Sequence, residues 1–189
     1  MASLRIILLA IVSAISYGLI HDQITARLCV EYFSVFHPKV IDSTSPTLLA
    51  LVWGVIATWW VGLLIGIPLS ICARAGRRPK LTARDLVPAI AVMFAICGIL
   101  AFAAGAFAYW LIATGRAAPL QVFPWMEGRI PPDHQIWFLV DLASHNAAYF
   151  AGAAGGIGLC IHAWLRRFRL SRRAEAAPGA PPARPPSAV

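Results

Sequence analysis

Asp141 and His145 stand four apart within the largely apolar stretch from Gln135 to Trp164. On a helix turning about 100° per residue, Asp141, His145, Tyr149, Gly152 and Gly156 project at roughly 0°, 40°, 80°, 20° and 60°. The polar residues thus share one stripe with the glycines, and that stripe must face protein. At about 1.5 Å per residue from Gln135, Asp141 lies some 9 Å into the segment and His145 some 15 Å. In a bilayer an ionisable group at such depth costs about 2.5–3.5 kcal/mol, so it marks a site, a pathway or a paired contact.

A second polar set precedes it in the chain. If the first apolar helix continues past Ile20, then His21, Thr25, Cys29 and Tyr32 fall within about 80° of one another, with Asp22 at the edge. His37 and His134 lie in adjoining loops, and His162 belongs to the other end. Arg27 and Glu31, at i, i+4 spacing, predict an ordinary helix salt bridge.

Imidazole and carboxylate together are ligands for zinc, iron or copper, and an open coordination position would activate water or bind a substrate group. The metal set read from the sequence is His21, Asp141 and His145, with Asp22 as the alternative carboxylate and Tyr149 at the rim. The spacing permits a metal without demanding one, since HExxH, paired ExxH and histidine boxes are absent. A second reading makes Asp141, His145 and Tyr149 a hydrogen-bonded network that fixes helix register. A third makes them a proton relay or a pocket for a quinone or lipid headgroup. Cys29, Cys72, Cys97 and Cys160 contain no CxxC, which argues against disulfide exchange. The absence of a phosphate-binding loop, dinucleotide fingerprint or GxSxG removes support for ATP-driven, nicotinamide or α/β-hydrolase chemistry.

These residues need apolar elements to carry them, and the composition supplies little else. The chain has 189 residues, 59% hydrophobic and 13% charged, against about 45–50% and 25% in soluble domains. That balance excludes a soluble globular domain, a disordered chain and a disulfide-rich module. Four stretches reach or approach the roughly 20 residues needed to cross a bilayer: about 4–20, 47–72, 86–114 and 135–164. The fold class expected is an all-α four-helix transmembrane bundle occupying residues 1–170, followed by a disordered Ala/Pro/Arg-rich tail over 171–189. The first stretch also fits a signal peptide cleaved after Ala14.

Basic residues set the orientation. Arg74, Arg77, Arg78, Lys80 and Arg84 crowd one loop, and Arg166, Arg167, Arg169, Arg172, Arg173 and Arg184 crowd the C-terminal end. Both segments are expected in the cytoplasm, giving N-in/C-in topology in a cell membrane, the bacterial inner membrane, with the His/Asp sets facing outward. The net charge of +8 then serves anionic lipid headgroups. Nucleic acid is excluded as a partner, because basic and aromatic residues are not interleaved.

Boundaries carry their own signals. Ser45-Pro46 reads as an N-cap with Pro at the first helical position, Thr82 with Asp85 as a capping box, and Pro131-Pro132-Asp133 as the start of the last helix. His37-Pro38 should end a first helix that protrudes from the membrane. Gly62 and Gly66, Gly152 and Gly156, and the weaker pair Ala101 and Gly105 are small-residue spacings that let helices approach. Trp53, Trp59, Trp60, Trp110 and Trp137 are expected at interfaces or facing lipid, and Phe123, Trp125 and Met126, among Pro119 and Pro124, over the bundle mouth. No motif here requires catalysis. The expectation is a non-enzymatic subunit or assembly component of a membrane complex, partnered by other subunits or its own copies; the alternative is an outward-facing metal or redox site.

Overall fold

A computed structural model describes residues 1–117 and 128–176. The loop residues Pro119, Phe123, Pro124, Trp125 and Met126, and the tail beyond 176, lie outside the described residues. Those described fold into α1 (Ala2–Leu28), a single π turn (Tyr32–Phe36), α2 (Pro46–Ile56), α3 (Trp59–Arg74), α4 (Ala83–Ala113) and α5 (Gln135–Glu175), with no strand among them. Four helical units are long and apolar enough to cross a membrane, with α2 and α3 forming one of them. The last is the least apolar, with mean hydropathy 1.3 in its best window against 2.0 to 2.6 for the others.

The caps are where residue chemistry puts them. Ser45 accepts from the Leu48 N–H ahead of Pro46. The Thr82 N–H and hydroxyl donate to Asp85 Oδ2 at 2.8 and 2.7 Å. At the C-terminal end α5 runs on to Glu175, past the boundary expected at 170. Arg167, anchored on the loop between α3 and α4, and Arg166, paired with Asp85 in the first turn of α4, hold this end against the bundle.

Two breaks have no Pro or Gly behind them. Ala57 and Thr58 separate α2 from α3, where the Thr58 hydroxyl turns back onto the Gly54 carbonyl at 2.5 Å. The other ends α1 at Leu28, where Cys29 is extended (φ −146°, ψ 100°) and the chain re-enters as the π turn before stopping at His37-Pro38. A single straight helix from Leu4 to Phe36 is therefore not formed. The Arg27–Glu31 spacing is lost with it: Arg27 bonds to Gln23 and Thr47, while Glu31 pairs with His134 at 3.0 Å.

α1 packs on α2 and α3, α4 on α5, and α3 on α5. The tightest approaches are glycine-made. A Cβ on Gly62 would sit 2.6 Å from the Ile11 backbone, and one on Gly54 2.9 Å from Leu19, so α1 lies backbone to backbone against the second unit. Gly66 meets Ala10 and Ile7 in the same way, Gly156 meets Ile65, and Gly105 meets Ser144. Gly152 meets nothing within 4 Å. Ala151 to Gly158 is rich in small residues, and at Gly152 no helix of this chain meets the four-residue spacing.

Two cores result, one at each end. The first is aromatic, with Tyr32, Phe33, Trp53 and Phe138 at its centre. Trp53 is thus an interior residue, unlike Trp59, Trp60 and Trp110, which are exposed as expected. The second is aliphatic, built on Ile6, Leu69, Leu86 and Leu159. Beside it Arg167 is only 3% exposed. Its Nε donates to the Pro79 carbonyl at 2.8 Å, Nη1 to Cys72 at 2.8 Å, and Nη2 to Ala75 at 2.6 Å and Arg78 at 3.1 Å. Cys72 lies in the last turn of α3 and Ala75 is its C-cap, where the last carbonyls have no partner within the helix and carry its partial negative charge. A side chain from α5 supplies the cap.

Candidate functional site

The aromatic end holds the buried ionisable residues. His21 and Asp22 sit on α1, and His145 on α5 faces them. One donor atom from each comes together with the other two inside 4.8 Å, the group among the described residues suited to a metal ion. His145 Nε2 lies 3.3 Å from Asp22 Oδ1. That separation matches the roughly 3.3 Å edge of a tetrahedron with ligand bonds of about 2.0–2.1 Å.

The tautomer of His145 follows from its neighbours. Nδ1 is 2.8 Å from the Asp141 carbonyl oxygen, which can only accept, so Nδ1 carries the proton and donates. Nε2 faces Asp22 Oδ1, so the ring presents one nitrogen to the cluster while a backbone acceptor orients the other, the arrangement found at metal-ligating histidines. The ring is held between aromatic neighbours: Tyr32 stacks at 4.4 Å, and His21 and Phe33 meet it edge-on at 4.6 and 5.6 Å.

The π turn is what brings Tyr32 and Phe33 there. Were α1 straight, these rings would be carried beyond the bundle end. The fold instead turns them inward and locks them with His37, whose Nδ1 donates to the Tyr32 carbonyl at 2.7 Å and whose ring packs on Trp53 at 4.6 Å. π turns recur at functional sites because they re-aim side chains. At the rim, the His134 ring nitrogen donates to Glu31, and the Cys29 thiol donates to the same carboxylate at 3.3 Å. Burial alone pushes the Glu31 carboxyl up, but bonds from its backbone, His134 and Cys29 hold it below its ordinary value. The same pair raises His134, through its hydrogen bond to Glu31 and the attraction of that charge, against a smaller loss of solvation.

Several polar atoms in this region have unmet bonding demands. Asp141 is 0% exposed, and neither carboxylate oxygen has a hydrogen-bond partner. The Cys29 N–H faces it but is spent on the Thr25 carbonyl at 3.0 Å. His21 Nε2 and the Tyr17 hydroxyl, on rings stacked at 5.7 Å, are likewise buried and unpartnered. Buried polar groups are nearly always paired, so each exception calls for an explanation such as an ion.

The residues anticipated from the sequence divide accordingly. His21, Asp22 and His145 come together. Asp141 stands beside them, but its contact with His145 is through its backbone carbonyl, not its carboxylate. Tyr149 is 45% exposed and has no hydrogen bond among the described residues, since an 80° drift carries it off the buried arc. Tyr32, already on the first stripe, and His37 form the wall. Trp53 was missed as an inner residue, because nothing in its local sequence distinguishes a buried tryptophan from an interfacial one.

A cleft of about 700 Å³ opens beside this cluster, between α1 and α4, with Phe94, Phe102 and Trp137 on its sides. His21 is the member of the donor set on its wall. No family model matches this chain, and neither a curated protein nor a solved structure does.

Proposed function

We propose that this is a multi-pass membrane protein that holds one transition-metal ion between α1 and α5. His21, Asp22 and His145 are the ligands, and Asp141 is the carboxylate that either completes the set or balances its charge. The observation that carries the reading is the convergence of three donor atoms from two helices beside a fully buried carboxylate with no partner. A buried carboxyl group whose two oxygens have no partner is one that a cation would satisfy, and a divalent ion held by His21, Asp22 and His145 would lie beside it. Imidazole and carboxylate donors together suit zinc, iron or copper. The basic loop and C-terminal end support an orientation with both termini inside and this site on the outward side of the membrane. The cleft at His21 gives the ion a lateral opening.

The test is metal analysis of the full-length protein in mild detergent, together with an absorption spectrum. The expected result is about one metal per chain, falling to background in both His145→Ala and Asp22→Asn while helical content is kept. Wild-type protein that stays metal-free after incubation with zinc, iron and copper would overturn it.

A second reading, a non-enzymatic subunit or assembly component of a membrane complex, is favoured by Gly98 and Gly152. A Cβ on either would meet nothing within 4 Å, and Gly98 lines the cleft at His21, which leaves room for another protein's helix. It predicts metal-free protein migrating as a larger assembly when extracted in digitonin.

A further inference from the structure

At the opposite end from the donor cluster, a groove of about 1060 Å³ runs between α4 and α5. Its walls are apolar: Val92, Ile96 and Leu100 on α4 face Ala154 and Gly158 on α5. The groove owes its depth to small residues, since a Cβ on Gly158 would meet nothing within 4 Å. Its mouth is basic. His162, Arg166, Arg169 and Arg173 all line it, at i, i+4, i+7 and i+11, which places them on one helix face. Asp85 also lines the mouth, but Arg166 occupies it, with Nη2 at 3.0 Å from Oδ1 and Nη1 on the Asp85 carbonyl.

Arg169 and Arg173 have no carboxylate partner among the described residues and stand one turn apart, a like-charge spacing that destabilises a helix unless an anion lies between. From Arg169 to Ala154 the helix rises about 22 Å, more than the roughly 15 Å of hydrocarbon in one leaflet. Apolar length and cationic head together describe an amphiphile with one anionic group.

We propose that an anionic phospholipid docks here, one acyl chain lying along Val92, Ile96 and Gly158 and its phosphodiester between Arg169 and Arg173. The proposal rests on the membrane reading but not on the metal site. The two arginines select for net negative headgroups, and Gly158 admits the chain.

Full-length protein reconstituted in phosphatidylcholine vesicles, with trace spin-labelled phosphatidylglycerol or phosphatidylcholine, tests this through the motionally restricted fraction of each label. Wild type is expected to favour phosphatidylglycerol. Arg169→Gln and Arg173→Gln should each weaken that preference by up to about five-fold. Gly158→Leu should reduce the restricted fraction of the label with helical content unchanged, whereas Arg77→Gln with Arg84→Gln, exposed charges outside the groove, should leave the preference in place. Equal restriction of both labels in wild type would overturn the proposal. So would a preference abolished only by the Arg77 and Arg84 changes, or a groove occupied by a second copy, seen as a dimer that Gly158→Leu dissociates without altering lipid preference. Failure of the chain to float with the vesicles would instead overturn the membrane reading.

Discussion

Arg167 and Asp141 are both charged-type residues on the same helix, and both are buried, at 3% and 0% exposure. Their surroundings are opposite. Arg167 donates to four backbone carbonyls, whereas the Asp141 carboxylate has no partner. A buried group whose hydrogen bonds are complete belongs to the architecture; one left incomplete is either an unrelieved cost or a place waiting for a ligand. Burial alone therefore does not point to a site; burial with unmet demand marks the place to look for one.

The comparison can be broken most forcefully at Arg167. Replacing it with Met strands the carbonyls of Cys72, Ala75, Arg78 and Pro79, and by analogy with removing one partner from a buried ionic contact should cost about 3–5 kcal/mol. Denaturant unfolding in detergent would read this, and a loss under about 1 kcal/mol would show that water replaces the cap. Asp141→Leu should act with the opposite sign in metal-stripped protein. Removing an unsatisfied buried carboxylate is expected to stabilise by about 1–3 kcal/mol, while metal affinity falls. Destabilisation on this change would mean that Asp141 has a structural partner after all.

A smaller effect sharpens the contrast between neighbours. Arg166 sits one residue before Arg167, yet its ion pair with Asp85 leaves the side chains 38% and 34% exposed. Arg166→Gln should cost only about 0.2–1 kcal/mol by the same assay. The smallest effect expected is at the rim. Glu31, held below its ordinary 4.5, contributes stability above that pH and loses it as pH falls through its lowered value. His134, raised above 6.5, contributes below that pH and loses its share as pH rises through its raised value. The thermal advantage of wild type over Glu31→Gln should therefore be greatest between pH 4.5 and 6.5 and shrink by pH 9. A flat difference across that range would remove the pair from the account.

Much of this was legible in the chain because it is written in composition. The apolar segments and caps announce themselves locally, and Asp141 and His145 are conspicuous on an apolar helix. Gly62 and Gly66 were readable as a close approach, but Gly152, with identical spacing, was not distinguishable from them. What stayed hidden depends on distant partners. Glu31 and His134 are 103 residues apart, so the nearer Arg27 looked like the natural mate. The end of α1 at Leu28 follows from that pairing and from burial of Tyr32 and Phe33, not from any helix-breaking residue. Arg167 was visible only as one of several basic residues, and nothing in its spacing tells a caged guanidinium from a solvated one.

The weak apolar character of α5 has a consequence for how the protein is made. Its best window has mean hydropathy 1.3, and it carries Asp141 and His145, each costing about 2.5–3.5 kcal/mol at mid-membrane on a helix alone. If the chain inserts as proposed, α5 leaves the ribosome after the helices it packs on are already in place. Its entry into lipid then depends on α1 receiving those groups. Biogenesis would be gated by assembly: a chain with a defective His21–Asp22 face would stall with its last segment untranslocated and exposed to quality-control proteases.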